Sequence, residues 1–151
     1  MMNNITFLKY ISIIQRNTGR YFDISLEPDH IGTGQQFFLL RIAENEGLTM
    51  LDLAQTGSYD KGTVTRAVQK LIGLGYVRMD VDKHDRRVRH LYTLPAAQPV
   101  IERAYKLRNE WTDRLTQNLT SEEKTQIFDL LHKIADNSEQ EIVLHHGKSE
   151  K

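Results

Sequence analysis

The most chemically distinctive residues of this sequence are basic side chains in one short polar segment. Lys83, Arg86, Arg87 and Arg89 fall within seven residues. Cations at this density neutralise nucleic-acid phosphates, and a thin hairpin that carries them can reach a minor groove. Asp85 interrupts the run, and we predict that its carboxylate holds the guanidinium of Arg87 in place. The alternative is a set of solvated charges at the end of a β-turn.

A second set of polar residues lies on a predicted helix that begins after Asp60. Val64, Val68 and Leu71 recur at helical spacing and are expected to face the core. The outer faces then carry Lys61, Gly62, Thr63, Thr65, Arg66, Gln69 and Lys70. Arg66 is suited to a two-acceptor contact with guanine, and the threonines to a hydrogen bond or a thymine methyl. The glycine permits close approach, and the two lysines are predicted to contact phosphates.

The neighbouring elements are predicted to hold both sets in position. A short helix over 50–55, with Thr49 as its N-cap, precedes the polar helix across a tight turn, which is the helix-turn-helix plan. Gly75 is a typical residue just beyond a helix C-terminus. Alternating apolar residues then predict a two-stranded hairpin over 76–93, here called the wing. Residues 48–94 are therefore the predicted DNA-binding lobe.

Helical periodicity also covers both flanks of this lobe, over 5–47 and 95–142. Their apolar stripes exceed what a small lobe can cover, so these helices are predicted to form scaffold and dimer interface. The stripes are Ile5–Phe22, Tyr105/Trp111/Leu115 and Ile127/Ile134. Residues 143–151 are predicted to be a flexible tail. The expected fold is a single domain over 1–151, mainly α with a small β-hairpin wing.

The charge distribution agrees with a nucleic-acid partner although the whole chain is neutral, with 20 basic and 20 acidic residues. Residues 48–94 hold eight lysines and arginines against five aspartates, while the remainder holds twelve basic and fifteen acidic residues. Phosphate binding depends on where the positive charge is placed. A basic lobe on an acidic scaffold is the interpretation we favour; the alternative is a chance fluctuation of three charges.

The composition argues against several other classes of protein. The absence of cysteine excludes disulfides and thiol chemistry. No apolar run approaches the roughly 18 residues of a membrane span, and the first four residues lack a signal-peptide pattern, so we expect a cytoplasmic protein without a membrane partner. The histidines show no paired metal-binding spacing; these are His30, His84, His90, His132, His145 and His146. We therefore expect no enzyme activity, no metal and no cofactor.

The sequence resembles the multiple-antibiotic-resistance regulator (MarR) family. The resemblance rests on Leu53-Ala54, the run Asp60–Arg66, Gly75-Tyr76-Val77, and the wing pattern at Asp82–Arg87. The chain departs from the family at 93–94, where it has Thr-Leu instead of Leu-Thr. The helix order is similar along nearly the whole chain.

The resemblance implies a homodimer in which each subunit presents one DNA-reading helix and one wing to a near-palindromic operator. It also implies repression that a small anionic or phenolic ligand relieves. Tyr21, His30, Phe37 and Trp111 are the candidate ligand residues, between the dimer helices and the lobe; they are equally suited to be core residues. The alternative function is a winged-helix protein–protein interaction module without sequence-specific DNA binding.

Overall fold

The structure, a computed structural model, describes residues 4–57 and 59–149 and is mainly helical with one β-hairpin. The helices in these ranges are α1 Asn4–Ser25, α2 Thr33–Glu44, α3 Met50–Gln55, α4 Lys61–Gly73, α5 Gln98–Leu115 and α6 Ser121–Ser149. The strands β1 Val77–Val81 and β2 Arg89–Thr93 pair antiparallel. The predicted fold class is confirmed. In the part of the chain described, no helix is long and apolar enough to cross a membrane.

The chain divides into two compact units, 1–111 and 112–151. The hydrophobic core of the first unit is formed by the end of α1 and the segment after it, α2, α3, α4, the two strands and the start of α5. The predicted inner stripe of α4 is confirmed, because Val64, Val68 and Leu71 are at most 1% exposed. Burial of this stripe fixes the rotation of α4 about its axis and turns its polar side outward.

The predicted helix ends follow local hydrogen bonds. Thr49 Oγ1 accepts the backbone N–H of Asp52 at 3.1 Å, and the Asp52 carboxylate accepts the N–H of Thr49 at 3.0 Å, which is a capping box. Asp60 caps α4 by accepting the N–H of Thr63 at 2.8 Å. Gly75 has a φ of +78°, the left-handed conformation expected beyond a helix C-terminus. These predicted caps are confirmed.

Local contacts set the ends of the flanking helices. Helix α2 begins at Thr33, whose backbone N–H donates to the Asp23 carboxylate at 2.8 Å. A 3-10 turn over 95–97, which begins at Pro95, leads into α5. The C-terminal segment, expected to be flexible from 143, continues α6 as helix to Ser149.

The wing is attached to the rest of its unit by a third strand-like segment that the sequence did not predict. The Gly47 N–H donates to the Leu91 carbonyl at 2.7 Å, and the Leu91 N–H donates to the Leu48 carbonyl at 2.9 Å. Thr49 and His90 continue this pairing as a β-bridge. Gly47 has a φ of +89°, and a Cβ there would lie 3.2 Å from the Tyr92 hydroxyl. Strand β2 is therefore paired on both sides.

Two aromatic residues of the predicted α5 stripe have partners on the scaffold helices of the first unit. The Tyr105 hydroxyl donates to Glu44 Oε1 at 2.5 Å. The Trp111 ring stacks on Tyr21 with centroids 4.6 Å apart, and its indole N–H donates to Thr18 Oγ1 at 2.9 Å. Helices α1 and α2, which lie outside the predicted DNA-binding lobe, therefore supply these contacts.

An ion pair between a buried aspartate and a half-exposed arginine joins α5 to the turn before α2. Asp29 is 7% exposed and accepts two hydrogen bonds from the Arg103 guanidinium, one of them from Nε at 2.8 Å. This hydrogen bonding raises the pKa of Arg103 above its ordinary value. The Tyr76 hydroxyl donates to the Asp29 backbone carbonyl at 3.0 Å. The first residue of the wing is thus tied to the same polar cluster.

Because Leu91 is fully buried at the centre of the attached strand, we expect Leu91→Ala to lower the free energy of unfolding by about 2–5 kcal/mol. The matched control is Met79→Ala, at the position opposite Leu91 in the hairpin register, whose side chain is 36% exposed. Denaturant unfolding of both variants measures the difference. Equal losses would contradict the assignment of Leu91 as the residue that anchors the wing.

Candidate nucleic-acid interface

The outer face of α4 presents the polar residues that the sequence predicted. Lys61, Gly62, Arg66, Gln69 and Lys70 are exposed, and Thr63 and Thr65 are half-buried. The buried stripe holds the helix from beneath, so this face is presented by a rigid element rather than by a loop. Rigid presentation keeps the ordering entropy of binding low.

The N-terminus of α4 carries a compact polar cluster. Besides capping the helix, the Asp60 carboxylate accepts the Thr63 hydroxyl at 3.0 Å, and these Thr63 hydrogen bonds hold the pKa of Asp60 below its usual value. Arg66 Nη2 donates to Thr63 Oγ1 at 3.4 Å. A Cβ at Gly62 would lie 3.3 Å from both Arg66 Nη1 and Asp60 Oδ1. The glycine therefore leaves room for the guanidinium over the helix end.

The two threonine hydroxyls already use their single protons inside the helix. Thr63 donates to Asp60, and Thr65 donates to the Lys61 backbone carbonyl at 2.8 Å. A hydroxyl has one proton and two lone pairs. These threonines can therefore contact a base through their oxygen lone pairs or their methyl groups. Of the contacts expected from the sequence, the one in which a threonine hydroxyl donates to a base is not available in this arrangement.

The tip of the wing is ordered by two aspartates. Asp82 Oδ2 accepts the backbone N–H groups of His84 and Asp85, at 2.9 and 3.0 Å. The Asp85 carboxylate accepts the backbone N–H of Arg87 at 3.0 Å and its side-chain Nε and Nη2, each at 3.2 Å. The predicted Asp85–Arg87 ion pair is present, with bidentate geometry. Arg86 is exposed beside it.

This ion pair orients Arg87 more than it stabilises the fold. The Arg87 side chain is 90% exposed and that of Asp85 is 40% exposed. Exposed pairs add little to the free energy of folding because water screens them. The hydrogen bonds from Arg87 lower the pKa of Asp85, so the carboxylate is charged at neutral pH. The planar, paired geometry fixes the direction in which the guanidinium projects.

The polar helix and the wing meet around one cavity of about 320 Å³. Lys61 and Thr65 line it from α4, and Arg87 and Arg89 line it from the wing. Its remaining wall is apolar and is formed by Met50, Leu51, Ala54 and Val64. The structure therefore brings three of the predicted contact residues, Lys61, Thr65 and Arg87, to one cavity. Lys70 lies instead beside a shallow groove with Asp23, Glu27 and His30.

Sequence reasoning missed the side chain that connects the wing tip to the α2–α3 segment. The His90 ring has Nδ1 2.8 Å from the Gly47 carbonyl oxygen and Nε2 2.9 Å from Asp82 Oδ1. These hydrogen bonds raise the pKa of His90, with the Asp82 bond as the main cause. Gly47 and His90 are 43 residues apart, and no local pattern marks such a contact.

The four candidate ligand residues fall into separate sets of contacts. Tyr21 and Trp111 stack on each other, whereas Phe37 packs against Tyr59 with ring centroids 5.3 Å apart. His30 has a φ of +61° and lines the shallow groove beside Lys70. Among the residues that the structure describes, no three His, Asp or Glu side chains converge as a metal site.

Comparison with known proteins points to one family. A family model described as MarR family matches residues 33–88. The chain is 27% identical over 139 residues to the HTH-type transcriptional regulator BilQ of Clostridium symbiosum, covering 92% of this chain and 96% of that one. The solved MarR protein from Peptoclostridium difficile DA00132 is 32% identical, with a TM-score of 0.88 over 93% of this chain and 94% of that one. A putative MarR family transcriptional regulator from Listeria monocytogenes, solved in complex with 26mer DNA, has the same fold, with 22% identity and a TM-score of 0.83 over 91% of this chain and 89% of that one.

Proposed function

The chain belongs to the MarR family of transcriptional regulators, and from this premise we propose that it is a homodimeric, sequence-specific DNA-binding repressor. Each subunit inserts α4 into a major groove and the wing into the adjacent minor groove of a near-palindromic operator. The observation that carries this proposal is the shared cavity, where Lys61 and Thr65 of α4 lie beside Arg87 of the wing.

The division of labour among the contact residues follows from their chemistry. Arg66, at the N-terminal half of an exposed helix face, suits the two acceptors of guanine, whereas Lys61 suits a phosphate. Arg87 is the wing residue for the minor groove, because its guanidinium is exposed yet held by Asp85. The Listeria regulator of the same fold, solved with 26mer DNA, supports DNA as the partner.

Dimerisation is supported by apolar side chains that remain exposed on the terminal helices. On α1 these are Leu8, Tyr10, Ile11, Ile14 and Ile24. On α6 they are Ile127, Phe128, Leu130, Leu131, Ile134, Ile142, Val143 and Leu144. Several large exposed apolar side chains on one helix favour an interaction site there. A second copy of the chain, packed by two-fold symmetry, places two DNA-reading helices on one side of the dimer.

Release by a small anionic or phenolic effector is supported by the chemistry of the shared cavity. Its apolar wall, formed in part by Met50 and Leu51, suits an aromatic ring, and Lys61, Arg87 and Arg89 offer positive charge. A ligand held there occupies cations that the DNA also needs, so the two compete. The stacked pair Tyr21 and Trp111 remains the other candidate for effector contact.

The proposed DNA binding predicts a steep dependence of affinity on salt. Because lysine and arginine displace counterions from phosphates, the affinity for duplex DNA should fall by about a thousandfold or more between about 50 and about 200 mM salt. Fluorescence anisotropy with a labelled duplex selected from a random pool measures this slope. An affinity that does not change with salt would contradict phosphate contact and favour a protein–protein module.

Two variants on α4 separate base reading from phosphate contact. Arg66→Ala should weaken binding to the selected duplex by about 1–3 kcal/mol and reduce the preference over a scrambled duplex. Lys61→Ala, the matched control on the same helix, should weaken binding to both duplexes alike and lower the salt slope by about one. Equal loss of preference in the two variants would rule out the assignment of Arg66 as the base-reading residue.

The orienting role of Asp85 predicts a result opposite to simple charge counting. Asp85→Ala removes a negative charge next to DNA, yet we expect affinity to fall about three- to tenfold because Arg87 loses its fixed direction. Asp80→Ala is the control, since Asp80 is exposed on the same wing and pairs with Arg78 instead. This control should leave affinity unchanged or raise it. A rise in both variants would show that Asp85 does not position Arg87.

A further inference from the structure

The imidazole of His90 lies between two hydrogen-bond acceptors. Nδ1 faces the Gly47 carbonyl at 2.8 Å, and Nε2 faces Asp82 Oδ1 at 2.9 Å. A carbonyl and a carboxylate are acceptors, so each contact needs a proton on the ring nitrogen. A neutral imidazole carries one N–H and satisfies one of these contacts. The imidazolium carries two and satisfies both.

The two acceptors belong to different parts of the unit. Gly47 lies in the segment between α2 and α3 that pairs with β2, and Asp82 lies at the end of β1 where the wing tip begins. The His90 and Asp82 side chains are 27% and 29% exposed, so both are partly shielded from competing water. The doubly protonated ring therefore joins the wing tip to the helix-turn-helix.

A chain of hydrogen bonds continues from this ring to the exposed arginine. Asp82 uses Oδ1 for His90 and Oδ2 for the backbone N–H groups of His84 and Asp85. The side chain of Asp85 in turn holds Arg87. A change at the ring of His90 therefore reaches the Arg87 guanidinium through two carboxylates and one short turn.

We propose that His90, in its doubly protonated form, is a positioning residue that fixes the wing and Arg87 for DNA, and that loss of one ring proton loosens this part of the surface. The inference rests on the proposed DNA-binding function, because it acts through Arg87. It adds a dependence on proton concentration to the proposed DNA binding.

The charged groups that face His90 favour its protonation. Asp82 contacts the ring, Asp52 of α3 acts on it through space, and Asp80 lies opposite it in the hairpin register, paired with Arg78. The Asp82 and Gly47 hydrogen bonds raise the pKa of His90 above the ordinary value of about 6.5. The stabilising effect is therefore complete below about pH 6.5 and is lost as the pH rises through the higher pKa of the folded protein.

The test measures DNA affinity and Arg87 order on the same proteins across pH. Affinity for a labelled random-sequence duplex of about 30 base pairs should fall about three- to tenfold between about pH 5.5 and about pH 8.5 at constant salt. His90→Gln should remove this fall, because the glutamine side chain does not titrate. It should bind throughout as the wild type does at high pH, because its two N–H groups lie on one nitrogen and do not replace donors on two separate ring nitrogens. His84→Gln, on the same wing, is the control, and its affinity for the duplex should decrease with rising pH as that of the wild type does.

The second readout needs no DNA. In free wild-type protein, ¹⁵N relaxation of the Arg87 Nε–H should show increasing mobility as the His90 ring resonances titrate, and His90→Gln should show high mobility at every pH. The positioning role is overturned if His90→Gln binds the duplex and shows the same Arg87 mobility and the same dependence of affinity on pH as the wild type. Absence of any duplex binding would instead overturn the proposed function, and the Arg87 relaxation would still decide whether His90 orders the wing.

Discussion

The pairing of β2 with the segment after α2 is the constraint on which the rest of the interface depends. A two-stranded hairpin by itself is only marginally stable in water. Here the Leu91 N–H donates to the Leu48 carbonyl, the Leu91 carbonyl accepts the Gly47 N–H, and the Leu91 side chain is fully buried. The wing is therefore held by backbone bonds to the helix-turn-helix. This is why Arg87 and Lys61, on different elements, line the same cavity.

Aspartates in a basic surface reduce its positive charge, and their hydrogen bonds explain why they are there. Asp60, Asp82 and Asp85 each accept backbone N–H groups within a short stretch of chain. Each has a pKa below the ordinary value, and the main cause is the Thr63 backbone N–H for Asp60, the His90 ring for Asp82 and the Arg87 side chain for Asp85. They are therefore charged at neutral pH and hold the local backbone in one conformation. Arg66 and Arg87 each lie beside one of them. The aspartates thus lower the positive charge of the surface, but they fix the directions in which its arginines project.

Contacts between residues close together in the chain were predicted from the sequence, whereas contacts between residues far apart in the chain were missed. The caps at Thr49 and Asp60 and the Asp85–Arg87 pair join residues two or three positions apart, so residue type and spacing were sufficient. The attachment of the wing at Gly47 and the ion pair of Asp29 with Arg103 join residues 43 to 74 positions apart. Helical and strand periodicity carry no information about such pairs. The partners of Tyr105 and Trp111 were missed for the same reason.

Selection of bound duplexes from a random DNA pool tests the central claim most directly. A dimer that presents two copies of α4 predicts an enriched near-palindrome whose half-sites lie about one helical turn, or roughly 10 base pairs, apart. It also predicts that the most constrained base pairs lie within the half-sites, where Arg66 reads the major groove. Enrichment of a single, unrepeated half-site, or no enrichment at all, would contradict the account.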